Sequence, residues 1–113
     1  MKEKLTKFKV AEKDIQRAIL EWLSLKKIFH YRNNSGAFKG SRGQFYKFGS
    51  LGSPDIIGII KGQYVGIEVK GSNGKGKQSE AQKKFQEDLE NAGGRYILTD
   101  SLEELIKWIT LLI

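Results

Sequence analysis

Between Ala11 and Leu25 the apolar residues Ala11, Ile15, Ala18, Ile19, Trp22 and Leu23 return at intervals of three and four positions. That spacing gathers them into one stripe and predicts an amphipathic helix. Ile28 to Arg32 is short and rich in β-branched and aromatic residues, and the Asn33-Asn34-Ser35-Gly36 cluster after it is turn material, so a strand followed by a loop is expected. Gly36 to Ser53 mixes Gly and Ser with basic and aromatic residues, and within it only Gln44 to Phe48 has the composition of a strand. Asp55 to Ile60 and Gln63 to Lys70 are two strand-like runs separated by Lys61-Gly62, the spacing of a tight hairpin. Ile56, Ile57, Ile59, Ile60, Val65, Ile67 and Val69 make both faces of these runs apolar, as in strands buried on both sides. Pro54, the only proline, stands just before the first run, where its missing N–H does least harm.

Ser79 and Gln82 form an S-x-x-Q capping box that opens a helix through Phe85 and Leu89, and Gly93-Gly94 offers the left-handed residue that closes it. Arg95 to Thr99 reads as a strand. Ser101 with Glu104 is a second capping box, opening a last helix through Leu105, Ile106 and Ile109. The expected order is α-β-β-β-β-α-β-α. A strand, a crossover helix and a strand in succession favour a parallel pair, so the fold class is α/β with a mixed central sheet flanked by helices.

A chain of 113 residues, 39% hydrophobic, suits one domain over positions 1–113. With 20 Lys and Arg against 13 Asp and Glu, the chain carries +7. A polyanion is therefore the natural partner, nucleic acid ahead of an anionic membrane surface. There is no cysteine, which removes disulfides and thiolate metal sites, and a single histidine, His30, is too little for a zinc site. Met1-Lys2-Glu3-Lys4-Leu5 is charged and unlike a secretion signal, and no apolar run is long enough to span a bilayer. A cytoplasmic location and no membrane partner are expected.

If Lys61 and Gly62 are the two turn residues, antiparallel pairing sets opposite one another positions whose numbers sum to 123, and so Asp55 opposite Glu68. A bulge at Gly62 would slide the pairing by one. Strand alternation puts Lys70 on the face of Glu68. Opposed like charges destabilise a sheet, and Mg²⁺ suits such a pair because it takes a few carboxylate oxygens and keeps several waters. Arg32, Lys39, Arg42, Lys47, Lys75 and Lys77, with Lys26 and Lys27, are candidate phosphate contacts, and Phe38, Phe45 or Tyr46 candidate stacking partners for exposed bases. Gly71, Gly76 and Lys77 follow the spacing of a phosphate-binding loop, but Gln78 stands where that motif needs Ser or Thr. No nucleotide cofactor is expected.

Pro54-Asp55, twelve intervening residues and Glu68-Val69-Lys70 resemble the signature of the PD-(D/E)XK nuclease superfamily. Gly52-Ser53-Pro54-Asp55, Ile67-Glu68-Val69-Lys70-Gly71, the Ser79 to Phe85 stretch with Gln82, and Gly93-Gly94-Arg95-Tyr96 resemble more narrowly its VRR-NUC branch, over about residues 11 to 100. The resemblance implies a restriction-endonuclease-like core, a requirement for Mg²⁺ or Mn²⁺, and phosphodiester hydrolysis. For stand-alone members it implies homodimers acting on branched DNA such as Holliday junctions or flaps. It also asks for an acidic residue on the first helix. Glu12 fits, since it shares the stripe of Ile15, Ile19 and Leu23 whereas Glu21 lies on the polar side. On this reading Asp55, Glu68 and the Val69 carbonyl hold the metal, Glu12 completes this site or a second one, Lys70 orients water, and Gln82 lies near the centre. The last helix, with Ile106, Ile109, Leu112 and Ile113 beside Leu105, Trp108 and Leu111, is the candidate dimer surface. The competing expectation is an inert DNA-binding or scaffolding domain on the same fold.

Overall fold

In the computed structural model, residues 10–33, 36–48, 51–71 and 78–113 are described. Helix α1 (Glu12–Leu25) starts after Ala11, which supplies no side-chain cap, and buries Ile15, Ile19 and Leu23, the stripe expected from the spacing. Strands β1 (Phe29–Arg32), β4 (Ile56–Ile60), β5 (Gln63–Val69) and β6 (Arg95–Thr99) form one sheet in the order β1-β4-β5-β6. The first two pairings are antiparallel and the last is parallel, so the sheet is mixed. The crossover between β5 and β6 runs through helix α2 (Glu80–Asn91), and helix α3 (Leu102–Leu112) follows β6.

One strand was not expected. Gly36–Lys39 is strand β2, and it pairs with β3 (Phe45–Phe48) in a separate two-stranded sheet. The expected order therefore lacks a strand after β1, and its second strand lies outside the main sheet. Gly36, Ala37 and Lys39 have weak strand preference, and pairing decides where propensity does not. The hairpin is set by its loop: the Gly40 N–H donates to the Gln44 carbonyl at 2.7 Å, and Gly43 takes φ 83°.

The faces of the main sheet are covered by different helices. Ile56 and Ile60 of β4, Val65, Ile67 and Val69 of β5 and Ile97 of β6 meet α1 and, from α3, Leu105 and Ile109, in one buried cluster. The other face belongs to α2, whose Leu89 approaches Gly66 and Gly94. Ser79 caps α2 with both halves of the capping box, while Ser101 caps α3 by accepting from the Glu104 N–H at 3.1 Å. Trp108 and Leu111 on the outer side of α3, and Ile113 just after it, remain exposed. Among the described residues no helix is long and apolar enough to cross a membrane.

Candidate functional site

The register of the β4–β5 hairpin decides which side chains meet. Lys61 and Gly62 both take positive φ, 50° and 77°, the backbone of a type I′ turn. No bulge intervenes, and the pairs run from Ile60 opposite Gln63 to Ile56 opposite Ile67. The next position outward is Asp55 and Glu68. Asp55 lies one residue before β4, where the ladder gives way to side-chain bonding: its Oδ2 accepts the Val69 N–H at 2.8 Å. A residue's N–H and C=O leave a strand on the same side. The Val69 carbonyl therefore points to the Asp55 side as well.

The segment before Asp55 is fastened from two directions. The Asn33 side chain donates to Ser53 Oγ and to the Pro54 carbonyl, each at 2.9 Å, and the Asn33 N–H donates to the Asp55 carbonyl at 2.8 Å. Gly52, at φ 80°, is so close to α2 that a Cβ there would run into the Ala81 carbonyl and lie 2.9 Å from the Gln82 nitrogen. Only glycine allows this approach. Asn33 read as turn material in the sequence; a polar residue after a strand carries no local sign that it will clamp a loop twenty positions on.

Lys70 follows β5, and its N–H donates to the Thr99 carbonyl at 2.9 Å, continuing the β6 pairing. Its Nζ stands 3.8 Å from Glu68 Oε2 and donates to Gln82 Oε1 at 3.3 Å. That same Gln82 oxygen accepts the Ser79 N–H at 2.9 Å. Gln82 therefore caps α2 and holds Lys70 at once.

Glu68 is only 3% exposed. Its Oε1 is buried with no hydrogen-bond partner among the described residues, an arrangement that native structures rarely leave unexplained. Burial pushes its carboxyl up to about 8; the facing Asp55 carboxylate adds to the rise, Lys70 opposes it, and Glu12 adds least. Tyr96 of β6 belongs to the same surroundings and was not singled out by its chemistry in the sequence. Its phenol is pushed up to about 12, first by burial, with Gln78 opposing and the charges of Glu68 and Asp55 adding.

The remaining candidates are scattered. Glu12 is exposed at the start of α1, within reach of Glu68 as a charge, and Glu21 is exposed two and a half turns further along the helix. Among the described residues no three His, Cys, Asp or Glu side chains gather closely enough to hold a metal ion by themselves. Arg32 is exposed at the end of β1, while Lys39 and Arg42 are exposed on the β2–β3 hairpin that also carries Lys47. Lys75 and Lys77, and the stretch from Gly71 that follows the phosphate-loop spacing, fall outside the described residues from position 72 onward. His30 is held structurally, Nδ1 at 2.7 Å from the Ile28 carbonyl and Nε2 at 3.4 Å from Ser24 Oγ.

The donor set suits a hard divalent cation. Two facing carboxylates, one with an unsatisfied oxygen, and a carbonyl directed to the same side are oxygen ligands, and a cation that keeps most of its waters needs few of them. Compared with protein-family models, with curated proteins and with solved structures, the chain matches none.

Proposed function

We propose that this chain is a Mg²⁺- or Mn²⁺-dependent endodeoxyribonuclease with a restriction-endonuclease-like core, of the PD-(D/E)XK superfamily and its VRR-NUC branch. The observation that carries the reading is the Glu68 carboxylate, buried with an unpartnered oxygen opposite Asp55 and beside Lys70. Such a cluster is a poor structural device, because desolvated like charges oppose folding. It is a good receptor for a cation.

Asp55, Glu68 and the Val69 carbonyl would hold the metal, with Glu12 completing this site or a second one. When bound, the metal supplies Lewis acidity and a water of lowered pKa. Asp55 is kept in place by the Val69 N–H and, through its own segment, by Asn33. Lys70, aimed by Gln82, orients the attacking water and steadies negative charge on the phosphate oxygens. Arg32, Lys39, Arg42, Lys47, Lys75 and Lys77 supply phosphate contacts consistent with the charge of +7. Branched DNA is the proposed substrate class, and a homodimer the proposed assembly, since two-fold junctions need paired cuts. The exposed Trp108 and Leu111 of α3, with Ile113 at its end, support that helix as the interface. The proposed location is the cytoplasm of a bacterium or of a phage-infected cell.

The test is incubation with linear, nicked, flapped and four-way DNA in Mg²⁺, in Mn²⁺ and in EDTA. Cutting should require metal, be strongest on branched DNA, and vanish in Asp55→Ala and Glu68→Ala. Undiminished cutting by either variant would sink the assignment, and metal-independent binding without cutting would favour the inert scaffold. Glu12→Ala should lower the rate and Glu21→Ala should not.

A further inference from the structure

The sheet face that carries Glu68 is covered unevenly. Tyr31 pairs with Ile57, which pairs with Gly66, and directly opposed residues share a face, so Tyr31 lies on the side of Gly66 and Glu68. Close to the site that side is roofed. A Cβ on Gly66 would lie 2.6 Å from the Pro54 ring and 3.6 Å from Leu89 of α2. Toward the β1 edge the roof ends: Phe29 is 68% exposed, Tyr31 49% and Ile59 39%. The two rings stand 6.5 Å apart with planes at 74°, in edge contact and both exposed. Tyr64 is their neighbour, and the Tyr31 hydroxyl adds to the burial that raises its phenol.

An exposed aromatic pair on an edge strand invites association, and folds that have no use for it blunt it with charge or cover. Here the cations stand at the ends of the strand instead. Lys26 and Lys27 are exposed where β1 begins and Arg32 where it ends, and neither β1 nor its β4 partners include a carboxylate. Lys27 is the more telling. It closes α1 in a left-handed conformation, φ 57°, with its N–H donating to the Ser24 carbonyl and that of Ile28 to the Leu23 carbonyl, each at 3.0 Å. That helix-ending pattern usually takes glycine at this position, and a lysine there strains the backbone. Backbone energetics alone would select glycine; a cation at the head of β1 is what lysine adds.

We propose that Phe29 and Tyr31 form a stacking platform for the unpaired bases of a single-stranded DNA segment, with Lys27 at the head of the strand neutralising a phosphate. The platform lies on the candidate centre's side of the sheet, because Tyr31 shares its face with Gly66 and Glu68. Its role in delivering a strand for cleavage rests on the nuclease reading above. Aromatic faces accept any base, so the platform gives affinity for single strands without sequence preference.

Binding of a fluorescent oligothymidylate and of a short hairpin duplex is measured by anisotropy in EDTA, where no metal-dependent cutting occurs. Phe29→Ala and Tyr31→Ala should each weaken oligothymidylate binding roughly five- to tenfold, with little change in duplex affinity or Tm. Phe29→Leu should lose as much as Phe29→Ala, and Phe29→Tyr should keep the affinity. Lys27→Gly should raise Tm while weakening binding, a combination that a purely structural lysine would not give. Failure of the parent chain to bind oligothymidylate, unchanged affinity in the Phe29→Ala/Tyr31→Ala double variant, or equal losses on duplex and single strand each overturn the platform. So does sedimentation in which the double variant turns a dimer into a monomer with DNA binding intact. Cleavage in Mg²⁺ or Mn²⁺ is scored separately against Asp55→Ala. Metal-dependent cutting with an inert platform leaves the nuclease reading standing alone, and weakened single-strand binding by a chain that never cuts leaves the platform standing alone.

Discussion

The two ends of the β4–β5 hairpin treat charge in opposite ways. At the closed end Lys61 occupies a left-handed position, but its side chain is exposed and reaches only the Ile113 carbonyl at 3.3 Å, so its charge stays in water and costs little. At the open end Glu68 is buried, faces Asp55 and keeps an oxygen without a partner among the described residues. One end carries modest backbone strain, while the other buries a carboxyl that faces a second one. Strain of the first kind is incidental to a tight turn. Burial of the second kind opposes folding, and the proposed cation would offset it.

The contrast is sharpest in Glu68→Gln, which keeps the shape and removes the charge. Cleavage should fall at least roughly a hundredfold. At pH 9 the variant should melt above the parent chain, and at pH 5, where Glu68 is protonated in the parent, the two should melt together. A variant less stable than the parent at both pH values would mean that the Glu68 charge holds the fold together.

Asn33→Ala comes next. It leaves both carboxylates in place and removes the two side-chain bonds that fasten Ser53 and Pro54, so it should reduce turnover roughly ten- to a hundredfold. The loss should fall on kcat more than on KM. An equal loss in the Asn33→Ala and Asn33→Asp variants is expected if the amide N–H groups are what matter, because aspartate cannot donate them.

The dependence on pH gives a smaller effect with a definite sign. Glu68 titrates near the ordinary 4.5 in the unfolded chain and near about 8 in the folded one. Between those values the folded state binds the extra proton, so its contribution to metal-free stability is present at the acid side and is lost as pH rises toward 8. Melts from pH 5 to 8.5 in EDTA should show that decline. Mg²⁺ competes with the proton and should restore stability increasingly as pH rises. A metal-free Tm that rises across this range would contradict the assignment of the buried proton.

Lys61→Asn is the mildest probe. Asparagine tolerates the left-handed conformation better than lysine, so the variant should gain about 1 kcal/mol or less, with unchanged cleavage. Loss of activity here would mean that the closed end, too, serves the site.

Periodicity and turn chemistry set most elements before any packing is known. The Ile15, Ile19, Leu23 stripe, the capping box at Ser79, the N-cap at Ser101, the Gly93 stop and the parallel β5–β6 pair all follow from local rules, although the Ser101 N–H turns to Thr99 Oγ1 and the second expected capping box forms only by its Ser101 half. A two-residue turn fixes hairpin register, so Asp55 opposite Glu68 was legible too, with Lys70 on the same face. Three things were decided only by tertiary structure. Strand β2 exists because β3 pairs with it, a partner that a stretch of weak strand formers does not announce. Asn33 acquires its role from the loop that the fold carries back to it, and Gln82 meets Lys70 because Gly52 lets that loop and α2 close together. Local sequence sets torsions and register, which are short-range; desolvation and clamping arise from segments far apart in the chain, whose approach no window of the sequence encodes.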